Sequence, residues 1–259
     1  MQFVDTHSHL YEPEFDEDLG QVILRAIHDG VYKIILPNVD LQTIEPMLAT
    51  VGKYKNCYPM IGLHPTSVNT DYMSVLEKIY TFITEKKHSF CAIGEIGVDL
   101  YWDKTFREEQ MKAFCEQMYW SLNLDLPVAI HSRKAFDEIF LCLKKLNKKT
   151  FQGVFHCFGG DLNQAEKLIE MGFKLGIGGV LTFKNASLVE VVRKIDLKHI
   201  VLETDSPYLA PVPFRGKRNE SAYIVNIARK LAEIKQLPLE TIAFETTKNA
   251  LELFPKINA

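Results

Sequence analysis

The chain has 259 residues, is 47% hydrophobic and 24% charged, and carries a formal net charge of −3. That size suits one large core, as in many α/β barrels, and the slightly acidic balance excludes a global basic field that recruits nucleic acid, leaving only local basic patches. No run approaches the roughly 18 continuous apolar residues of a membrane span, no basic segment followed by an apolar one opens the chain as a secretory leader would, and the five cysteines form no CxxC pair, so a reduced, cytoplasmic protein without membrane contact is expected.

The first expected strand is "QFVDT" at 2–6, followed by a helical pattern, "EDLGQVILRAIHDG", at 17–30. Strands are next expected at "YKIILP" (32–37) and "CYPMIGL" (57–63), with a helix at "SVLEKIYTFITEKK" (74–87). The strand "FCAIGEI" (90–96) leads to the helix "EEQMKAFCEQMYWSLN" (108–123), and "PVAIHS" (127–132) to "AFDEIFLCLKKLN" (135–147). "GVFHCF" (153–158) precedes the helix "NQAEKLIEMG" (163–172), and "FKLGIGG" (173–179) and "HIVLETD" (199–205) complete the strands. Apolar residues recur every three or four positions in the helical segments, the α-helical period. Two further helices, "SAYIVNIARKLAEIKQ" (221–236) and "LETIAFETTKNALELF" (239–254), follow the last strand. Eight strand-then-helix units predict a parallel sheet closed into a (β/α)8 TIM-type barrel, a single domain over 1–259 with an extra C-terminal helix. A doubly wound open sheet is the alternative, but it normally carries a Gly-rich fingerprint after the first strand, and none is present.

The metal-capable residues gather at the expected C-terminal ends of these strands. His7 and His9 end the first, Glu95 the fourth, His131 the fifth, His156 the sixth and Asp205 the eighth. Those ends surround one mouth in a barrel, where active sites are built. Four of the eight histidines choose that edge. Singly, each has an ordinary structural reading: a hydrogen-bonded histidine, an ion-pair partner, a helix cap before Pro207. Jointly, two carboxylates and four imidazoles buried without a cation would be badly solvated and mutually repelling. The set exceeds the three protein ligands of a typical catalytic zinc. A two-metal site fits better, with Glu95 bridging a group of His7, His9 and Asp205 and a group of His131 and His156.

The segments "DTHSHL", "GLHP", "GEIGVDLY", "LPVAIHSR", "FHCFGG" and "LETDSPYLAP" resemble, in order, the signatures of the TatD family of metal-dependent hydrolases, a branch of the amidohydrolase-like barrels, and "FRGKRNES" resembles its motif after the eighth strand. The resemblance implies a TIM-type barrel, a divalent-metal centre held by His7, His9, Glu95, His131, His156 and Asp205, and deoxyribonuclease activity. Ser221 stands where the family motif usually has proline.

Arg133, two residues after His131, is expected to face the same mouth and hold a phosphate bidentately; its alternative is a salt bridge to Glu95 or Asp205. His64 is expected at the mouth, binding substrate, donating a proton or joining an accessory metal. Asp5 and Glu203 are read as orienting ligand histidines, and Glu203 is also grouped with the substrate-facing residues. Arg215, Lys217 and Arg218 in "FRGKR" are expected to grip a phosphate backbone, whereas "KKLNKK" at 144–149 reads as a solvated face remote from the mouth. Tyr101, Trp102 and Phe106 could stack bases or cap helices. Cys157 is expected to point towards the helix layer.

These readings predict a DNA phosphodiesterase, exonucleolytic in action, with two divalent ions (zinc, magnesium or manganese) and no obligate protein partner. In it a metal-activated hydroxide attacks phosphorus, Glu95 and Asp205 serve catalysis, and Arg133 neutralises phosphoryl charge. The alternative is a hydrolase of a small amide, lactone or ester on the same barrel. A metal-stabilised binding module is disfavoured by the complete ligand set at the mouth.

Overall fold

A computed structural model describes residues 1–85 and 90–258. Eight parallel strands are hydrogen-bonded in sequence order: β1 (Phe3–Asp5), β2 (Val31–Pro37), β3 (Cys57–Ile61), β4 (Ala92–Asp99), β5 (Val128–Arg133), β6 (Gly153–Phe155), β7 (Phe173–Ile177) and β8 (Ile200–Leu202). The first and last meet through the segments that follow them. Thr6 N donates to Leu202 O, Asp205 N to His7 O, and His9 N to Ser206 O, at 2.7–3.1 Å. A parallel bridge at Ser8 and Ser206 completes the seam, so the sheet closes into the expected barrel.

The helices α1 (Leu19–His28), α2 (Leu41–Lys53), α3 (Tyr72–Glu85), α4 (Arg107–Leu124), α5 (Phe136–Lys145), α6 (Leu162–Glu170), α7 (Leu188–Lys194) and α8 (Ile224–Lys235) form the outer layer. Two begin with complete capping boxes, Asp40 with Thr43 on α2 and Asp161 with Gln164 on α6, which satisfy otherwise orphaned amides. The sequence reading continues α3 to position 87, and its last two residues lie outside the described ones. The apolar stripes of the helices bury against the outward side of the strands, in a core that includes Phe3, Ile34, Phe114, Phe155 and Phe173.

The additional helix α9 (Leu239–Leu253) does more than extend the layer. Phe254 and Ile257 just beyond it, with Ala250 and Leu253, pack onto Val4, Ile35, Met60, Ala92, Ala129, Val154 and Val201. These strand residues come from seven of the eight strands and are all essentially inaccessible to solvent. The C-terminal segment therefore forms the floor of the barrel, and the opposite end is left for chemistry.

Candidate metal centre

The strand boundaries correct the sequence reading for every expected ligand: His156 lies just past β6 and Asp205 past β8. His7 and His9 lie after β1, in the segment that seams onto Asp205 and Ser206, not on the strand. Glu95 and His131 lie inside their strands, because β4 runs on to Asp99 and β5 to Arg133. The β4–β5 register shifts between Ile93 and Ile96, so that three steps on β4 match two on β5. This bulge re-aims the strand at Glu95. Beyond it, Gly97 lies against His131; a Cβ there would stand 1.9 Å from His131 O.

All six expected ligands converge. Glu95 is their centre: its Oε2 lies 3.1 Å from His7 Nε2 and 3.8 Å from His9 Nε2, and its Oε1 2.9 Å from His131 Nδ1 and 2.8 Å from His156 Nε2. Asp205 Oδ1 is 3.5 Å from His9 Nε2 and 3.9 Å from His7 Nε2. The His7 and His156 rings stack with centroids 3.9 Å apart, and those of His131 and His156 are 5.5 Å apart. Asp205 adopts a left-handed backbone, with φ of 57°. A non-glycine residue is seldom held there unless its surroundings over-determine it.

His64 joins the same cluster, with Nε2 3.2 Å from Glu95 Oε1. Its Nδ1 accepts from the amide of Thr66. In the neutral ring this places the proton on Nε2, so His64 faces Glu95 as a donor.

Burial opposes ionisation of Glu95, but His156, His64 and His7 around it override that effect and hold its carboxyl well below the usual range. Burial likewise disfavours a charged His156, and Glu95 with Glu203 overcomes it, leaving the imidazole well above its ordinary value. His7 moves the other way, lowered by its own burial and by neighbouring His156. The centre is thus a buried carboxylate ringed by imidazole nitrogens, and each short N···O approach requires a proton or a cation between its atoms.

The donors fit a divalent metal. His7, His9 and Glu95 form one set of three ligand atoms lying within 4.8 Å of one another, and His7, His156 and Asp205 form another. Tyr11 fixes the His9 tautomer: its hydroxyl donates to Pro37 O at 2.7 Å and therefore accepts from His9 Nδ1 at 2.9 Å. The lone pair of His9 Nε2 is left facing Glu95 and Asp205, as a ligand requires. The Nδ1 atoms of His7 and His156 are buried without a hydrogen bond.

Two residues of this arrangement escaped the sequence reading. Tyr11 is one, and Asp99 is the other: its Oδ2 lies 2.9 Å from His131 Nε2. The alternation in "GEIGVD" was the available signal for Asp99, four residues after Glu95 on the same face.

Several outlying residues differ from expectation. Asp5 touches no imidazole; its carboxylate accepts from the amide and hydroxyl of Thr204 and from the His7 amide, binding the seam together. Glu203 does reach a ligand, with Oε1 3.5 Å from His156 Nδ1, and accepts from Cys157 N. It is wholly buried, which removes it from the substrate-facing group. Cys157 lines the mouth and not the helix layer, because a left-handed φ of 44° turns the chain just past β6. Arg218 is bound bidentately to Asp18 at 2.7 and 2.8 Å, an ion pair that occupies the guanidinium expected to hold phosphate. Lys217 borders a separate groove with Arg25 and Arg229 on the flank of the barrel. Arg215 stacks 3.6 Å above the Phe183 ring.

Arg133 pairs with neither Glu95 nor Asp205. Its guanidinium lies 3.9 Å from the Tyr101 ring centre and 5.1 Å from that of Trp102. Both aromatics are exposed, Trp102 by 71%, whereas Phe106 packs against the core. Arg133 and Tyr101 border a cavity of about 710 Å³ that reaches His131, His156 and Asp205.

Gly176 leaves space for Glu203, since a Cβ there would meet its Oε2 at 2.3 Å. Gly176→Ala is expected to push Glu203 off His156 and weaken metal retention by about 10–100-fold, the usual cost of losing a ligand's outer partner. Competition with a chelator of known affinity measures this.

A barrel whose mouth gathers five histidines around Glu95 and Asp205 fits a metal-dependent hydrolase. Residues 4–255 match the family model for TatD related DNase. The uncharacterized metal-dependent hydrolase YabD of Bacillus subtilis is 38% identical over 253 residues, covering 96% of this chain and 98% of its own. The uncharacterized metal-dependent hydrolase YjjV of Escherichia coli K12 is 33% identical over 254 residues, covering 98% of both. The crystal structure of YjjV superposes with a TM-score of 0.92 at 32% identity, across 98% of each chain. The chain belongs to the TatD family. A TatD family hydrolase from Entamoeba histolytica shares the fold at 22% identity, with a TM-score of 0.87 over 98% of both chains. No helix among the described residues is long and apolar enough to cross a membrane.

Proposed function

We propose that the protein is a deoxyribonuclease that hydrolyses DNA phosphodiester bonds from strand ends with two divalent ions. The observation that carries this reading is the pairing of the centre with a phosphate-suited rim. The carboxylate–imidazole cluster opens on a cavity edged by Arg133, whose guanidinium lies on exposed aromatic rings. His7, His9 and Asp205 would hold one ion and His131 and His156 the other, with Glu95 between them. When bound, such ions supply Lewis-acid activation of water and neutralise phosphoryl charge.

The chain's own residues do the remainder. Asp205 borders the cavity and takes the proton of the attacking water. Arg133 binds non-bridging oxygens, a task suited to its planar fork. Tyr101 and Trp102 offer faces on which a base stacks without regard to sequence. The family description names a DNase and supports this substrate.

Hydrolysis of 5′- and 3′-labelled oligonucleotides across a series of divalent metals tests the reading. Arg133→Ala is expected to weaken single-strand binding and to flatten its log–log salt dependence by roughly 0.7 for each phosphate the variant no longer engages. A protein that leaves oligonucleotides intact under every metal yet opens lactones or amides would be a small-molecule hydrolase.

A further inference from the structure

Outside the metal centre, the helix layer holds two thiols against each other. Helices α4 and α5 run side by side, and their contacts keep one register. Arg107 pairs with Glu138 at 2.9–3.0 Å, and one turn further along Cys142 Sγ lies 3.5 Å from Met111 O. Both pairs are offset by the same 31 positions. In an α-helix the Met111 carbonyl accepts from the amide of residue 115, so Cys142 sits beside the turn that carries Cys115. A helix side chain leans back over the turn that precedes it, so the Cys115 side chain lies on the same side as the Met111 carbonyl that Cys142 touches.

We propose that Cys115 and Cys142 form an oxidisable dithiol site that takes a hydroperoxide as oxidant and closes to a disulfide joining α4 to α5. In the first step the Cys115 sulfur attacks one peroxide oxygen; the O–O bond breaks, giving a sulfenic acid and releasing water or an alcohol. In the second, the Cys142 sulfur attacks the Cys115 sulfur and displaces water. Two thiols and one hydroperoxide thus yield one disulfide, one water and one water or alcohol, the two thiol protons leaving in those products.

The two cysteines are unequal in the way such a pair requires. Cys115 is half-buried, whereas Cys142 is buried. Neighbouring Cys142 lowers the Cys115 thiol, and Lys145 adds to the effect against burial. A stabilised, accessible thiolate beside a second thiol is the arrangement of reversible redox sites. Burial instead pushes the thiols of Cys57 and Cys91 up to about 12, which protects them.

The test treats reduced, folded protein with hydrogen peroxide, alkylates the remaining thiols after unfolding, and maps peptides without reductant. The expected product has lost two hydrogen atoms, links the Cys115 and Cys142 peptides, and reverts with dithiothreitol. Closing the intervening loop is expected to raise the midpoint of thermal unfolding by about 5 °C. In Cys142→Ser the oxidation is expected to stop at a dimedone-trappable sulfenic acid on Cys115. Absence of the linked peptide in the wild-type protein would overturn the proposal, as would prior oxidation of Cys57, Cys91 or Cys157.

Discussion

Glu95→Gln is expected to empty the centre of metal and to lower hydrolysis by about 10³-fold or more, with the barrel intact. The carboxylate contacts His7, His131, His156 and His64 at 2.8–3.2 Å. An amide of the same size removes the charge that every one of these contacts faces. It also offers an NH2 group to nitrogens that would otherwise present lone pairs to an ion. Elemental analysis of purified protein measures the metal, circular dichroism the fold, and single-turnover kinetics the activity. Unchanged metal stoichiometry would remove Glu95 from its bridging position.

Phe254→Ala is expected to produce the largest loss of stability, about 3–5 kcal/mol, as truncation of a buried aromatic usually does. Phe254 is fully buried beneath small inward-facing residues such as Ala92 and Ala129. Those side chains are too short to collapse into the space the ring would leave. For a protein of this size each kcal/mol lowers the unfolding midpoint by about 2–4 °C, so calorimetry resolves the effect easily. A loss below about 1 kcal/mol, far short of the usual cost of such a truncation, would mean that the floor does not support the barrel.

Much of this architecture was legible in the chain. The alternation of β-rich runs and helical stripes implied eight units, and the metal-capable residues clustered after or within the strands of one end. The six residues that converge on Glu95 were identifiable because chemistry confines His, Glu and Asp there for few other reasons. What escaped has physical causes. The expected fourth strand stopped at Ile96, whereas β4 runs on to Asp99; this left Glu95 inside the strand and hid Asp99, which reaches His131 from the same side as Glu95. Tyr11 acts through a tautomer, a property of three groups in space (Tyr11, His9 and Pro37 O). Arg218 looked available because linear charge says nothing of Asp18, two hundred positions away, whose carboxylate takes it. Cys157 was assigned by strand alternation, and the left-handed turn after β6 ends that alternation one residue too early. Arg133 kept its place because β5 remains regular to its end.

The seam has a consequence for biosynthesis. His7 and His9 leave the ribosome long before Asp205 and Ser206, yet hydrogen bonds along the seam join the two segments. The floor beneath them needs Phe254 and Ile257. Until β8 has been made, the two histidines therefore belong to an unclosed sheet whose first strand lacks a neighbour on one side. Contacts so distant in sequence form slowly, and an exposed strand edge invites pairing with other chains. A nascent chain halted before β8 would offer scattered histidines to cellular metal but no assembled centre, which needs β8, Asp205 and the floor residues Phe254 and Ile257.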